Sequence, residues 1–180
     1  MERKSALLLL VLTISDFGVY AQDNRVLSVC EVLRSRLTHN GKIIAVRGEL
    51  HSSPEGTWLS GDRCAEEVRA GDHVWPNAIN LSIVEPLVPW PDWPAVRDDV
   101  AIKRVQKRIR QLKPQGNDRI WITCVGRFET FTDLSAQVYR TPDGKLQVRG
   151  LGDQSAFPAQ FLTISTRDPE VERRPPTKRR

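Results

Sequence analysis

The chain has 180 residues, 39% of them apolar and 27% charged, which suits one soluble globular domain with a sizeable core and leaves no room for two. Its net charge of +5 does not by itself mark a nucleic-acid partner. Arg173, Arg174, Lys178, Arg179 and Arg180 supply five positive charges with no acid among them, so residues 1–172 sum to zero (5 − 5).

Residues 1–21 read as a secretory signal peptide. Arg3 and Lys4 precede the apolar run Ala6 to Ile14, and Val19-Tyr20-Ala21 offers a small-residue site with cleavage after Ala21. The competing reading is a retained N-terminal anchor, but the run is short for a bilayer and Asp16 interrupts its far flank. Export, periplasmic or secreted, follows as the expectation. It leaves no stable transmembrane segment after cleavage and puts three cysteines in an oxidising compartment.

The mature chain begins with a short helix. Ser28 is its expected N-cap, Glu31 completes a capping box, and Val29, Val32, Leu33 and Leu37 form the stripe that would seat it. Asn40-Gly41 then turns the chain into a strand, Lys42 to Leu50, in which Ile44, Val46, Gly48 and Leu50 alternate with more polar positions. A glycine on the buried face predicts a bulge or tight bend. A second strand is expected at Thr57 to Ser60 and a third at Asn77 to Val84.

Four prolines make Pro86 to Pro94 an extended connector, after which Asp92 caps a helix running to about Lys113, stopped by Pro114 and Gly116. Ile102, Val105, Ile109 and Leu112 line one of its faces, and Lys103, Lys107 and Arg110 another. The fourth strand, Arg119 to Thr130, echoes the first, since Ile122, Cys124, Gly126 and Phe128 repeat its spacing. Thr141-Pro142-Asp143-Gly144 predicts a hairpin, and a last strand, Gln160 to Thr166, precedes a charged, proline-rich tail expected to be disordered.

This order of elements resembles an OB-fold, a small closed or partly open β-barrel, with one helix before the first strand and another between the third and fourth. V-C-E-V-L, N-G-K-I-I-A-V-R-G, W-L-S-G-D-R-C and V-G-R-F-E also resemble small exported bacterial proteins of unassigned function. The resemblance implies a mainly β fold and brings no catalytic or binding residue with it. The expected organisation is a signal peptide at 1–21, one OB-like domain at 22–166 and a disordered basic tail at 167–180.

No catalytic motif and no metal-ligand spacing stands out: His39, His51 and His73 are scattered, and G-x-S-x-G, H-E-x-x-H and a glycine-rich phosphate loop are missing from the sequence. No cofactor is implied. The expected function is therefore a non-enzymatic binding or interaction module, its partner an anionic polymer, a saccharide or an envelope protein. A nucleic-acid-binding OB domain using the basic helix and tail is the first alternative. An envelope hydrolase is the second.

Lys103, Lys107 and Arg110 at i, i+4 and i+7 project together and suit an anion, although a solvated helix face shows the same pattern. Trp58, Trp90 and Trp93 suit a stacking platform, or else packing of the proline-rich connector. Among the three cysteines, Cys124 takes the place in the fourth strand that Val46 holds in the first, as a small apolar residue. That leaves Cys30 and Cys64 for a disulfide, with three reduced thiols as the other reading.

Overall fold

The computed structural model describes residues 25–82, 98–152 and 155–174. The signal segment, the Pro86–Pro94 connector with Asp92, Trp90 and Trp93, and the last six residues lie outside them. The described chain is mainly β. Ahead of the first long strand come β1 (Val26–Ser28) and two short helices, α1 (Val29–Arg34) and α2 (Arg36–His39), where the sequence suggested a single helix.

Ser28 caps α1 through a capping box: its Oγ accepts from the Glu31 N–H at 3.2 Å while its own N–H donates to Glu31 Oε2 at 2.8 Å. Those hydrogen bonds, the backbone one first, hold the Glu31 carboxyl below the usual carboxylate range. The break comes at Ser35, whose N–H and hydroxyl both turn back onto the Glu31 carbonyl. It rotates the stripe, so Val29, Val32 and Leu33 are buried but Leu37 is 54% exposed.

Five strands make the frame: β2 (Ile43–Ser53), β3 (Gly56–Ser60), β6 (Ala78–Ser82), β7 (Arg119–Thr130) and β10 (Ala159–Glu172). They pair in the order β2-β3-β6-β10-β7, and β7 pairs back with β2, so the sheet closes on itself as a ring. All these pairs are antiparallel except β6 with β10. The eleven residues of β2 serve three neighbours, its first part pairing β7 and β1 and its last five residues pairing β3. Inward from the ring point Val46, Leu59, Ile79, Ile122, Cys124, Phe128 and Phe161, which with α1 form the main core.

The two strands that echo one another in sequence are neighbours in the ring, antiparallel, with Ile44 opposite Gly126 and Gly48 opposite Ile122. Neither glycine bulges that pair, whose register runs unbroken. Gly48 is instead a seat for α1, because a Cβ there would lie 2.8 Å from Val29 Cγ2 and 2.9 Å from Leu59 Cβ. The bulge falls on β10, where Ile164 is an extra residue opposite Gly126 and Val125. Its carbonyl, released from the ladder, accepts the Asp98 N–H at 2.8 Å and so fixes where the next helix begins.

That helix, α3 (Asp99–Leu112), is capped by Asp98, whose carboxylate accepts from the Ala101 N–H at 2.9 Å. It ends at Lys113, as the sequence suggests, in a left-handed C-cap (φ 47°). Two further hairpins decorate the ring. β4 (Val68–Ala70) with β5 (His73–Trp75) has no counterpart in the sequence reading, whereas β8 (Val138–Arg140) with β9 (Leu146–Val148) flanks the expected turn. Trp75, Ala70 and Leu134 form a small second core there.

β10 corrects the expected start of the tail, since residues 167–172 are strand. β7 is long enough to offer partners as far as Glu172, and a second register shift between Arg167 and Glu170 accommodates Pro169, which has no N–H to give the ladder. Arg47 ties this shift to the sheet through the Asp168 carbonyl at 3.1 Å and the Glu170 carboxylate at 2.5 Å.

Candidate functional site

Helix α3 divides into two faces. Ile102, Val105 and Ile109 turn to the ring, and Lys103, Arg104, Lys107, Arg108 and Arg110 are exposed. Among the described residues none of these five cations has an ion-pair partner. The geometry regroups them. Arg104, Lys107 and Arg108 face a cleft of about 460 Å³ between α3 and the irregular end of β10, whose far wall is Thr166, Arg167, Asp168 and Pro169. Of the residues singled out by helical spacing, Lys107 lies in the cleft, while Lys103 and Arg110 do not line it.

Arg167 is not marked by any local pattern, since in sequence it belongs to a charged, proline-rich tail; only the pairing of β10 beyond Thr166 brings it opposite α3. It sits 3.5 Å from Asp168, the one acid among the described residues that line the cleft. Four cations against one acid leave a local charge of +3 (4 − 1) in a concavity, which raises the local concentration of anions. Arginine forks can hold phosphate or carboxylate oxygens in pairs.

The aromatic platform fares differently. Trp58 lies on the outer face of β3, stacked on His51 (centroids 5.5 Å apart, planes 8° apart), with Phe157 tilted toward it at 5.8 Å. Among the described residues its ring contacts are these two, both on the outer face. Trp90 and Trp93 are outside the described residues. Trp75 is buried, and Trp121 Nε1 donates to Glu172 at 2.9 Å.

His51 Nε2 also lies 2.8 Å from Ser60 Oγ, the spacing of a base and a nucleophile. Glu49 approaches the same nitrogen, at 3.6 Å, and its carboxylate is engaged by Arg119 Nε at 3.0 Å. It therefore does not occupy the position on Nδ1 from which an acid orients the imidazole in a hydrolytic triad. A second polar group, Arg127, Glu129 and Gln160, is buried on the outer face. Gln160 Nε2 donates to Glu129 at 2.8 Å, and burial pulls the Arg127 guanidinium down against the raising effect of Glu129.

Cys30 and Cys64 form a disulfide, S–S 2.02 Å, with Cα atoms 5.3 Å apart. It joins α1 to the segment after β3 and passes over Gly61, where a Cβ would come within 2.7 Å of both sulfurs. Cys124 is free and buried in the core, and burial pushes its thiol up to about 12. It stays protonated at neutral pH and is no nucleophile.

No helix among the described residues is long and apolar enough to cross a membrane. Compared with protein-family models, with curated proteins and with solved structures, the chain matches none.

Proposed function

We propose that this chain is an exported, non-enzymatic binding module on an OB-like barrel, and that it holds an anionic ligand in the cleft between α3 and the end of β10. Closure of five strands with the first beside the fourth and the third beside the fifth supports the OB-like reading, as does a helix between the third and fourth. The disulfide is in keeping with an oxidising compartment. One observation carries the ligand class: Arg104, Lys107, Arg108 and Arg167 surround one concavity, and the three on α3 have no ion-pair partner among the described residues. Single-stranded nucleic acid would use the same cations but also wants open aromatic faces, and Trp58 is already stacked on His51, with Phe157 tilted toward it.

Calorimetric titration of the mature protein with inorganic pyrophosphate tests this. Binding should be saturable, should weaken between about 50 and 200 mM salt, and should fall about tenfold or more in Arg104→Glu/Arg108→Glu. No saturable binding, or binding indifferent to that variant, would refute the anion reading. Tighter binding of oligothymidylate than of pyrophosphate would move the assignment to nucleic acid.

A further inference from the structure

The basic cleft does not stand alone. On the far side of Val105 lies a second cavity of about 200 Å³, between the apolar face of α3 and inward residues of the ring, walled by Leu50, Leu81, Ile122, Ile102 and Ile109. Val105 and Thr166 line both spaces, so the apolar slot and the cationic cleft share a wall.

Thr57, Gln106, Thr163 and Thr166 also line the slot, and two of these four stand apart. Thr163 Oγ1 and Thr166 Oγ1 are both buried, and neither has a hydrogen-bond partner among the described residues. An unmet hydroxyl in an apolar wall is destabilising where valine would fit equally well. Apolar lining with a few convergent polar atoms is the usual form of a small-molecule site. Thr166 stands where the slot meets the cleft, the place at which a ligand's polar head would join its apolar part.

Resting on the anion-binding reading above, we infer that the ligand is a small anionic amphiphile. A phosphate or carboxylate head sits among Arg104, Lys107, Arg108 and Arg167, and a single short alkyl chain fills the slot under α3. The Thr166 hydroxyl donates to an oxygen at the junction of head and chain. Asp168, the one acid among the described lining residues, lies against Arg167 Nε, which leaves the α3 cations without a competing carboxylate. Such a ligand exists free, as a short-chain acid or alkyl phosphate, or as part of a lipid with an anionic headgroup.

The test is a calorimetric series of monoalkyl phosphates of increasing chain length, below their micelle concentrations, with inorganic phosphate as the chainless reference. Affinity should rise about fourfold per methylene and then level off once the slot is full. Ile102→Phe, which fills the slot, should erase the chain-length dependence while keeping inorganic phosphate binding. Thr166→Val should fold normally and lower the affinity of every alkyl phosphate several-fold. Phosphatidylglycerol vesicles that displace octyl phosphate, where phosphatidylcholine vesicles do not, would assign a lipid source; displacement by neither would assign the free ligand. Affinity independent of chain length, with phosphate still bound, would overturn the amphiphile and leave the anion site standing. Failure of every phosphate to bind would overturn both.

Discussion

Helices α1 and α3 both lay an apolar face on the inward residues of the ring, yet they are held in contrasting ways. α1 is six residues long and buries three of them, with Val29 against Gly48 at a distance no larger residue would tolerate. A capping box holds its start and a disulfide ties it to the segment after β3. α3 is fourteen residues long and buries only Val105, with a cavity on each side of that residue. Close packing transmits any change of volume directly into strain, whereas sparse packing opens locally at low cost. Among the described residues, a ring closed firmly by α1 and loosely by α3 combines a fixed frame with a sparsely packed seam, the seam on which the proposed ligand site rests.

The largest expected effect breaks the firm side. Replacing Cys30 and Cys64 by serine removes a link between residues 34 apart, costing about 4 kcal/mol in the chain-entropy model and lowering Tm by roughly 10 °C. Thermal unfolding followed by circular dichroism measures it. A drop of only a degree or two would mean that α1 is held by packing alone.

Next come paired packing variants. Gly48→Ala forces a methyl between Val29 and Leu59 and should cost about 1–3 kcal/mol. Ile109→Ala, on α3, removes a side chain that is half-buried beside an existing cavity, and should cost about 1 kcal/mol, below the usual range for a fully buried isoleucine. Urea unfolding of both variants compares them directly. If Ile109→Ala proves the costlier, the two helices are not held in the contrasting ways the geometry indicates.

The firm side was the more legible in sequence, for physical reasons. A capping box, a period-2 strand and a cysteine left over in an apolar stripe are local patterns, and each needs only a few neighbouring residues to be read. The structure places Ser28, Glu31, Cys30, Cys64 and Cys124 in those roles. The loose side depends on long-range pairing. Residues Arg167 to Glu172 look like tail because Pro169 and four charged residues lower any local strand preference, and only the spare length of β7 recruits them. Helical spacing groups Lys103 and Arg110 with Lys107 on the outer face of α3, but it says nothing of β10, against which Arg104 and Arg108 join Lys107 instead. Gly48 was recognisable as special, although the reason is a helix packed on it rather than a bulge.

The smallest effect sharpens the comparison at the end of α3. Just as Glu31 serves the start of α1, Arg173 serves the finish of α3: its guanidinium donates to the carbonyls of Leu112 at 2.6 Å and Lys113 at 3.2 Å, and it pairs with Asp118 at 2.5 Å. A cation there satisfies carbonyls that the helix leaves open and meets the negative end of its dipole. Among the described residues the tail docks through Arg173 and through the Arg174 N–H, which donates to Asp118 at 3.3 Å, and Arg173→Ala should cost a few tenths to about 1 kcal/mol. Acid should mimic that loss in part. The Asp118 carboxyl is held below its ordinary range, first by the Gln115 N–H and then by Arg173. Because its folded-state value is depressed, its contribution is present above the ordinary carboxylate range and is lost as pH falls through the folded value. Arg173→Ala should therefore be more destabilising at pH 7 than at an acid pH low enough to protonate Asp118 in the folded protein. Urea unfolding at the two pH values reads the difference directly, and an equal cost at both would mean that Arg173 acts through the helix carbonyls alone.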